Sequence, residues 1–260
     1  MSLDPLQEQL ARLALSLPEA GQAALAGGGA MLAHNFVDRP TRDIDLFSPR
    51  SEDVQQLAEA FSAAVLRRGD TAEVARRETT FVRMIVTVPD GRAVTVEIAQ
   101  DARIREPVQL AVGRVLHPDE VAADKVLALF GRAAARDLVD VTALLRRYSR
   151  AELLALAAEK DQGFSTRVFA DALGAATQHP DTAFAELGMD DAAIQSLRAS
   201  AQKWKADLAA ERSSGDRAHP HTTSGRSPTT QLPADQPRWR SPGDKRCGPS
   251  RGTEPPSLSS

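Results

Sequence analysis

The sequence has one cysteine, Cys247, among 260 residues. A disulfide framework within the chain is thereby excluded, and so is a zinc site built from cysteines. A single thiol suits a reducing compartment. No apolar run approaches the ~20 residues needed to cross a bilayer. The opening MSLDPLQEQLARLALSL has neither the basic start nor the apolar core of a secretory leader. A cytoplasmic protein with no membrane partner is expected. A basic excess is also missing, since the formal net charge is -3. The charge is unevenly spread, however. Residues 213–260 carry seven Lys/Arg and four Asp/Glu, which leaves -6 for residues 1–212. Any contact of that body with nucleic acid must come from a local patch.

What the sequence does have is a change of pattern along its length. Leu6, Leu10, Leu13 and Leu17 recur at helical spacing and predict a helix over 4–17. The run Ala23 to Ala26 reads as a strand, followed by the triplet Gly27-Gly28-Gly29 and a short helix from Ala30 to Phe36. A strand is predicted from Arg42 to Phe47. A helix over 51–68 opens at Ser51, with Glu52 and Asp53 in its first turn. Strands over 80–88 and 93–99 flank Pro89-Asp90-Gly91 and form a hairpin. From His117 onward the periodicity is helical, with Pro118 at a first helical position. Further helices are predicted at 136–147, 150–161, 165–175 and 190–211. Ser149-x-x-Glu152 is a capping box for the second of these. The expected fold class is α+β: an antiparallel or mixed sheet with helices over residues 1–112, then an all-helical part over 113–212. Eight of sixteen prolines fall after Ser213, so 213–260 is expected to be a disordered tail.

Strand alternation puts Asp43 and Asp45 on one face, with Ile44 and Leu46 on the other. In the hairpin, Thr95 and Glu97 share a face opposite Val94, Val96 and Ile98. If these strands are neighbours, Asp43, Asp45 and Glu97 emerge together. Same-face residues two apart on a strand lie ~6.7 Å apart. Two carboxylates at that distance repel by ~2.5 kcal/mol at an effective dielectric of ~20, or ~0.6 kcal/mol in bulk water. A divalent cation reverses that sign, and Mg²⁺ takes carboxylate and phosphate oxygens. A solvated pair of aspartates is the plainer alternative for Asp-x-Asp alone. The glycine triplet adds a second signal, because glycines let a backbone approach a phosphate at a helix start. Lys125 lies in an apolar stripe with Val121 and Leu129, where it either snorkels outward or meets an anion. Asp137 and Asp140 share a helical face. They are either site carboxylates or ordinary first-turn acids. Arg132, Arg136, Arg146, Arg147 and Arg150 form either a basic face for RNA phosphates or a solvated face. His34 and His117 read as structural.

Gly27-Gly28, a short helix, Asp43-Ile44-Asp45 and Val96-Glu97-Ile98 together resemble the polymerase-β-like nucleotidyltransferase signature. The wording Leu25-Ala26-Gly27-Gly28-Gly29-Ala30-Met31, then Arg39-Pro40-Thr41-Arg42-Asp43-Ile44-Asp45-Leu46, is similar to the AbiEii/AbiGii toxin family. So is the second block, Asp124-Lys125-Val126-Leu127-Ala128-Leu129 followed by Arg136-Asp137-Leu138-Val139-Asp140-Val141. The resemblance spans roughly 20–175. It implies the toxin of a bacterial toxin–antitoxin pair, with an NTP as co-substrate, Mg²⁺ or Mn²⁺ as cofactor and a cognate antitoxin as partner. MenT-like members modify the acceptor end of tRNA, which makes tRNA the implied acceptor. Carried over, Asp43, Asp45 and Glu97 bind metal. Gly27, Gly28 and Thr41 hold the nucleotide phosphates. Lys125 meets the triphosphate, and Asp137 or Asp140 completes the site. Gly29 stands where Thr or Tyr is common, and Glu97 where Asp is frequent; neither change removes a ligand. Two rivals remain at this point: a nucleotidyltransferase acting on a small molecule or protein side chain, and a catalytically silent NTP-binding scaffold.

Overall fold

A computed structural model describes residues 3–218. In chain order the elements are α1 (Pro5–Ser16), β1 (Ala24–Leu25), α2 (Gly27–Ala33), β2 (Asp43–Ser48), α3 (Ser51–Arg67), β3 (Thr71–Glu78), β4 (Phe81–Thr87), β5 (Ala93–Gln100), β6 (Val108–Leu110) and β7 (Gly113–Val115). Then come α4 (Pro118–Arg132), α5 (Ala135–Leu144), α6 (Arg150–Lys160), α7 (Thr166–Ala176), α8 (Asp181–Ala185) and α9 (Asp191–Ala218). The strands form one seven-stranded mixed sheet in the order β3-β4-β5-β2-β1-β7-β6. β2 runs parallel to β5, and β1 parallel to β7.

The expected α+β class and the hairpin are present, and the described chain is helical from Pro118 onward. The strand β7 falls inside 113–212, which was expected to be all-helical. Several boundaries differ. α2 starts within the glycine triplet rather than after it, with Gly27 at φ +55. Ser51 lies inside α3, whose N-cap is Arg50 without a side-chain cap bond. The strand β3, the short strands β6 and β7, and α8 were not anticipated. α9 runs on to Ala218, so the chain is still helical past Ser213. The rest of the expected tail, 219–260, lies outside the described residues.

Burial explains why the register is firm. Ile44, Leu46, Val96, Ile98, Val82, Met84 and Val86 are all buried on the helix-covered face of the sheet. Burying each such side chain is worth about 1.5–3 kcal/mol. A one-residue slip would expose this set and drive the carboxylates into the core. The apolar face therefore fixes the polar one. The same hydrophobic core continues without a break through α4, α5, α7 and α9, from Val126 and Leu138 to Phe169 and Trp204.

Candidate active site

The parallel pairing of β2 and β5 sets Asp45 beside Glu97 and Asp43 beside Thr95. All three carboxylates line one cleft of about 540 Å³, together with Gly27, Gly28, Thr41 and Lys125. The structure thus brings these seven predicted residues into a single cavity. Arg39, Arg83, Arg132 and Arg136 line it as well.

The glycines have an immediate steric reason. A Cβ on Gly27 would sit 1.8 Å from Asp45 Oδ2, and one on Gly28 would sit 2.4 Å from Thr41 Oγ1. Any side chain there would fill the space that the carboxylate and hydroxyl now occupy. Thr41 in turn donates its hydroxyl hydrogen to Asp43 Oδ1 at 3.0 Å. Its backbone is tied down by α1, where Gln7 Nε2 donates to the Thr41 carbonyl at 2.9 Å. Burial, and then the charges of Asp43 and Glu97, push the Asp45 carboxyl up to about 7. Burial also raises Glu97, against the opposing pull of Arg83. Crowded carboxylates of this kind favour binding a proton or a cation.

Lys125 does not snorkel. Its Nζ lies 2.9 Å from Asp140 Oδ2. Asp140 is fully buried and also accepts three hydrogen bonds from Arg39, at 2.7–2.9 Å. Burial alone would raise the Asp140 carboxyl, but Lys125 and Arg39 outweigh it and hold it below the usual carboxylate range. Asp137 is buried too, and Arg132 donates to both of its oxygens at 2.6 and 2.8 Å. Neither Asp137 nor Asp140 is among the residues lining the cleft. They lie behind it and hold the cations that do line it.

The five arginines noted in the sequence do not make one free face. Arg132 is held by Asp137, and Arg146 donates to the Phe36 carbonyl. Arg147 lies over the Phe36 ring, and Arg150 lies between Asp207 and the Trp204 ring. Arg136 faces the cleft. His34 binds the Leu116 carbonyl, and His117 caps α4, so both are structural as expected.

Three features escaped the sequence reading. Arg39 is the second partner of Asp140, and Arg83 is the partner of Glu97 at 2.7 Å. The second was within reach. The hairpin turn sets Thr87 opposite Ala93, which makes Arg83 and Glu97 cross-strand neighbours. The third is a buried cluster of Asp101, Glu120 and Asp124. Among the described residues it is the acidic trio whose ligand atoms all lie within 4.8 Å of one another. Its centre is already filled. Lys160 Nζ lies 2.6 Å from Asp101 and from Glu120, and it also pairs with Asp124. Asp43, Asp45 and Glu97 enclose no such ammonium. Their oxygens are not all within 4.8 Å of one another, but the all-oxygen donor set and the glycine cradle beside Asp45 suit a hard divalent cation that also takes phosphate oxygens.

No curated protein sequence matches the chain. Among solved structures, the nucleotidyltransferase toxin MenT4 from Mycobacterium tuberculosis superposes with a TM-score of 0.56 at 20% identity, over 78% of this chain and 83% of that one. The protein JHP933 from Helicobacter pylori gives a TM-score of 0.49 at 16% identity, over 84% of this chain and 99% of that one. The first likeness shows a shared fold. The family model described as nucleotidyl transferase AbiEii toxin, type IV toxin–antitoxin system, matches residues 9–231. Spanning both motif blocks and most of its length, that match shows that the chain belongs to the AbiEii nucleotidyltransferase toxin family.

Proposed function

We propose that the chain transfers a nucleotide from an NTP to a hydroxyl at the acceptor end of a tRNA, the α–β phosphoanhydride bond breaking and pyrophosphate leaving, with Mg²⁺ or Mn²⁺ held by Asp43, Asp45 and Glu97. One observation carries this reading. The three carboxylates stand on adjacent parallel strands and line one cleft with Lys125. A bound divalent ion would supply charge neutralisation and a more acidic acceptor hydroxyl.

The chain's own residues have separate tasks. Gly27 and Gly28 leave room for phosphate oxygens near the start of α2. Thr41 holds Asp43 in place through its hydroxyl. Lys125 meets the triphosphate as a point charge. Asp140 orients Lys125 and Arg39 from behind, and Asp137 orients Arg132 in the same way. Glu97 serves as a metal ligand or accepts the acceptor hydroxyl's proton. Residues 113–212 complete a cleft that residues 1–112 begin. Membership of a toxin–antitoxin family also implies an antitoxin as partner.

The test is direct. Purified protein is incubated with Mg²⁺, each labelled NTP in turn and total bacterial tRNA. Label should enter tRNA with the wild type and not with Asp45→Asn. Label on protein alone would instead support side-chain modification. No label on any acceptor would favour the silent scaffold.

A further inference from the structure

Arg83 stands at the end of the carboxylate row. The register Arg83–Glu97–Asp45 runs across three adjacent strands, β4, β5 and β2. Its Nε and Nη2 both lie 2.7 Å from a single oxygen of Glu97, Oε1. The second oxygen, Oε2, has no hydrogen-bond partner among the described residues. The guanidinium is fixed from behind as well. It lies over the buried Phe81 ring at 5.7 Å, and Arg76 lies over the same ring at 5.1 Å. A guanidinium cannot shed its charge in a protein. Arg83 therefore contributes a permanent positive charge beside Glu97, at the end of the carboxylate row.

We propose that Arg83 is the positioning residue of Glu97 and a fixed counter-charge at the Glu97 end of the carboxylate row. It holds Oε1 so that Oε2 remains the metal ligand, and it weakens divalent-ion binding until a nucleotide brings its own phosphates. This inference rests on the reading of Asp43, Asp45 and Glu97 as metal ligands. A unit charge some 6 Å from a divalent ion opposes binding by about tenfold even at the dielectric of water. An ordinary cross-strand ion pair, retained only for the sheet, would leave metal affinity unaltered.

The experiment is calorimetric titration of Mn²⁺ into the nucleotide-free full chain, with kcat and KM for transfer measured alongside. Arg83→Gln should bind Mn²⁺ about tenfold more tightly than wild type and yet turn over at least tenfold more slowly. Arg83→Lys keeps the charge and loses the two-pronged hold. It should bind Mn²⁺ like wild type, with a lowered kcat and little change in KM for NTP. Unchanged or weaker Mn²⁺ affinity in a folded Arg83→Gln would overturn the counter-charge. Wild-type kcat in Arg83→Lys would overturn the positioning role. If Arg83→Gln fails to fold, Arg83→Lys decides: a tenfold change in its Mn²⁺ affinity, or an undiminished kcat, overturns the proposal. Asp45→Asn separates the two levels. If it binds Mn²⁺ as well as wild type does, the metal reading itself fails and takes this inference with it.

Discussion

At the scale of single residues, the cleft is defined by what is left out as much as by what is present. Gly27 has φ +55 and no room for a Cβ, which would overlap Asp45. Gly27→Ala adds one methyl group at a left-handed backbone position, where non-glycine residues are strained. It should abolish transfer, because Asp45 must move aside; Mn²⁺ affinity and turnover together check this. Asp140 makes a different demand. It is buried and neutralised by Lys125 and Arg39, and its carboxyl is held below the usual range. A depressed carboxyl adds stability above its unfolded value of ~3.9, and that stability fades as the pH falls through the folded value. Asp140→Asn leaves two cations facing a neutral amide. At pH 7 it should cost about 3–5 kcal/mol, the usual result of breaking a buried pair. The gap in melting temperature to wild type should narrow toward pH 3. A gap that is constant from pH 7 to pH 3 would mean that Asp140 contributes by shape alone. Asp137, Asp140 and Lys125 were legible as residues worth noting. Their partners were not, because helical spacing states which residues share a face and nothing about what lies across it.

Elements were legible where they bury an apolar stripe. The hairpin of β4 and β5 and the strand β2 alternate cleanly, and the turn between β4 and β5 fixes the register that places Glu97. β3 had no such signal. Its sequence TAEVARRE is largely exposed, and its pairing is interrupted between Val74 and Arg76. An edge strand of this kind is specified by its neighbour rather than by its own periodicity. The start of α2 was misplaced for a related reason. Glycine is a poor helix former, so the triplet reads as a loop. The helix nevertheless begins there, because only glycine lets it pass so close to Asp45, Thr41 and Leu25. Lys160 shows how elements are tied together. From the end of α6 it reaches Glu120 and Asp124 on α4 and Asp101 just past β5. Glu120 also accepts the backbone N–H groups of Ile104 and Arg105. Burial, against the pull of Lys160, pushes Asp124 up to about 8 and raises Asp101. Lys160→Met would leave three buried carboxylates without their cation. A carboxyl whose folded value is raised costs stability once the pH exceeds its unfolded value, and the cost grows as the pH climbs toward the folded value. The variant should therefore lose several kcal/mol at pH 8 and distinctly less at pH 5. Thermal melts at the two pH values check this. An equal loss at both would show that the cluster is not the source of the instability.

For the whole molecule, the change from strands to helices near residue 112 does not by itself say which faces meet. In the structure they meet extensively. One hydrophobic core joins Leu10 of α1 and Ile98 of β5 to Leu129 of α4 and Trp204 of α9. Ion pairs cross the same division, Arg39 to Asp140 and Asp101 to Lys160. The cleft itself draws Asp43, Asp45 and Glu97 from one side and Lys125 from the other. A nucleotide bound there would touch both parts and stabilise their union. The full chain should then melt in one cooperative transition. Mg²⁺ and an accepted NTP at about one hundred times Kd should add about 2.7 kcal/mol. At roughly 2–4 °C per kcal/mol for a body of this size, the melting temperature should rise by about 5–10 °C. The rise should vanish with EDTA and shrink in Lys125→Met, which keeps the apolar stem and removes the charge. Differential scanning calorimetry reads all three quantities at once. Two resolved transitions, of which the nucleotide moved only one, would show that 1–112 and 113–212 are separable units and that the nucleotide rests on one of them.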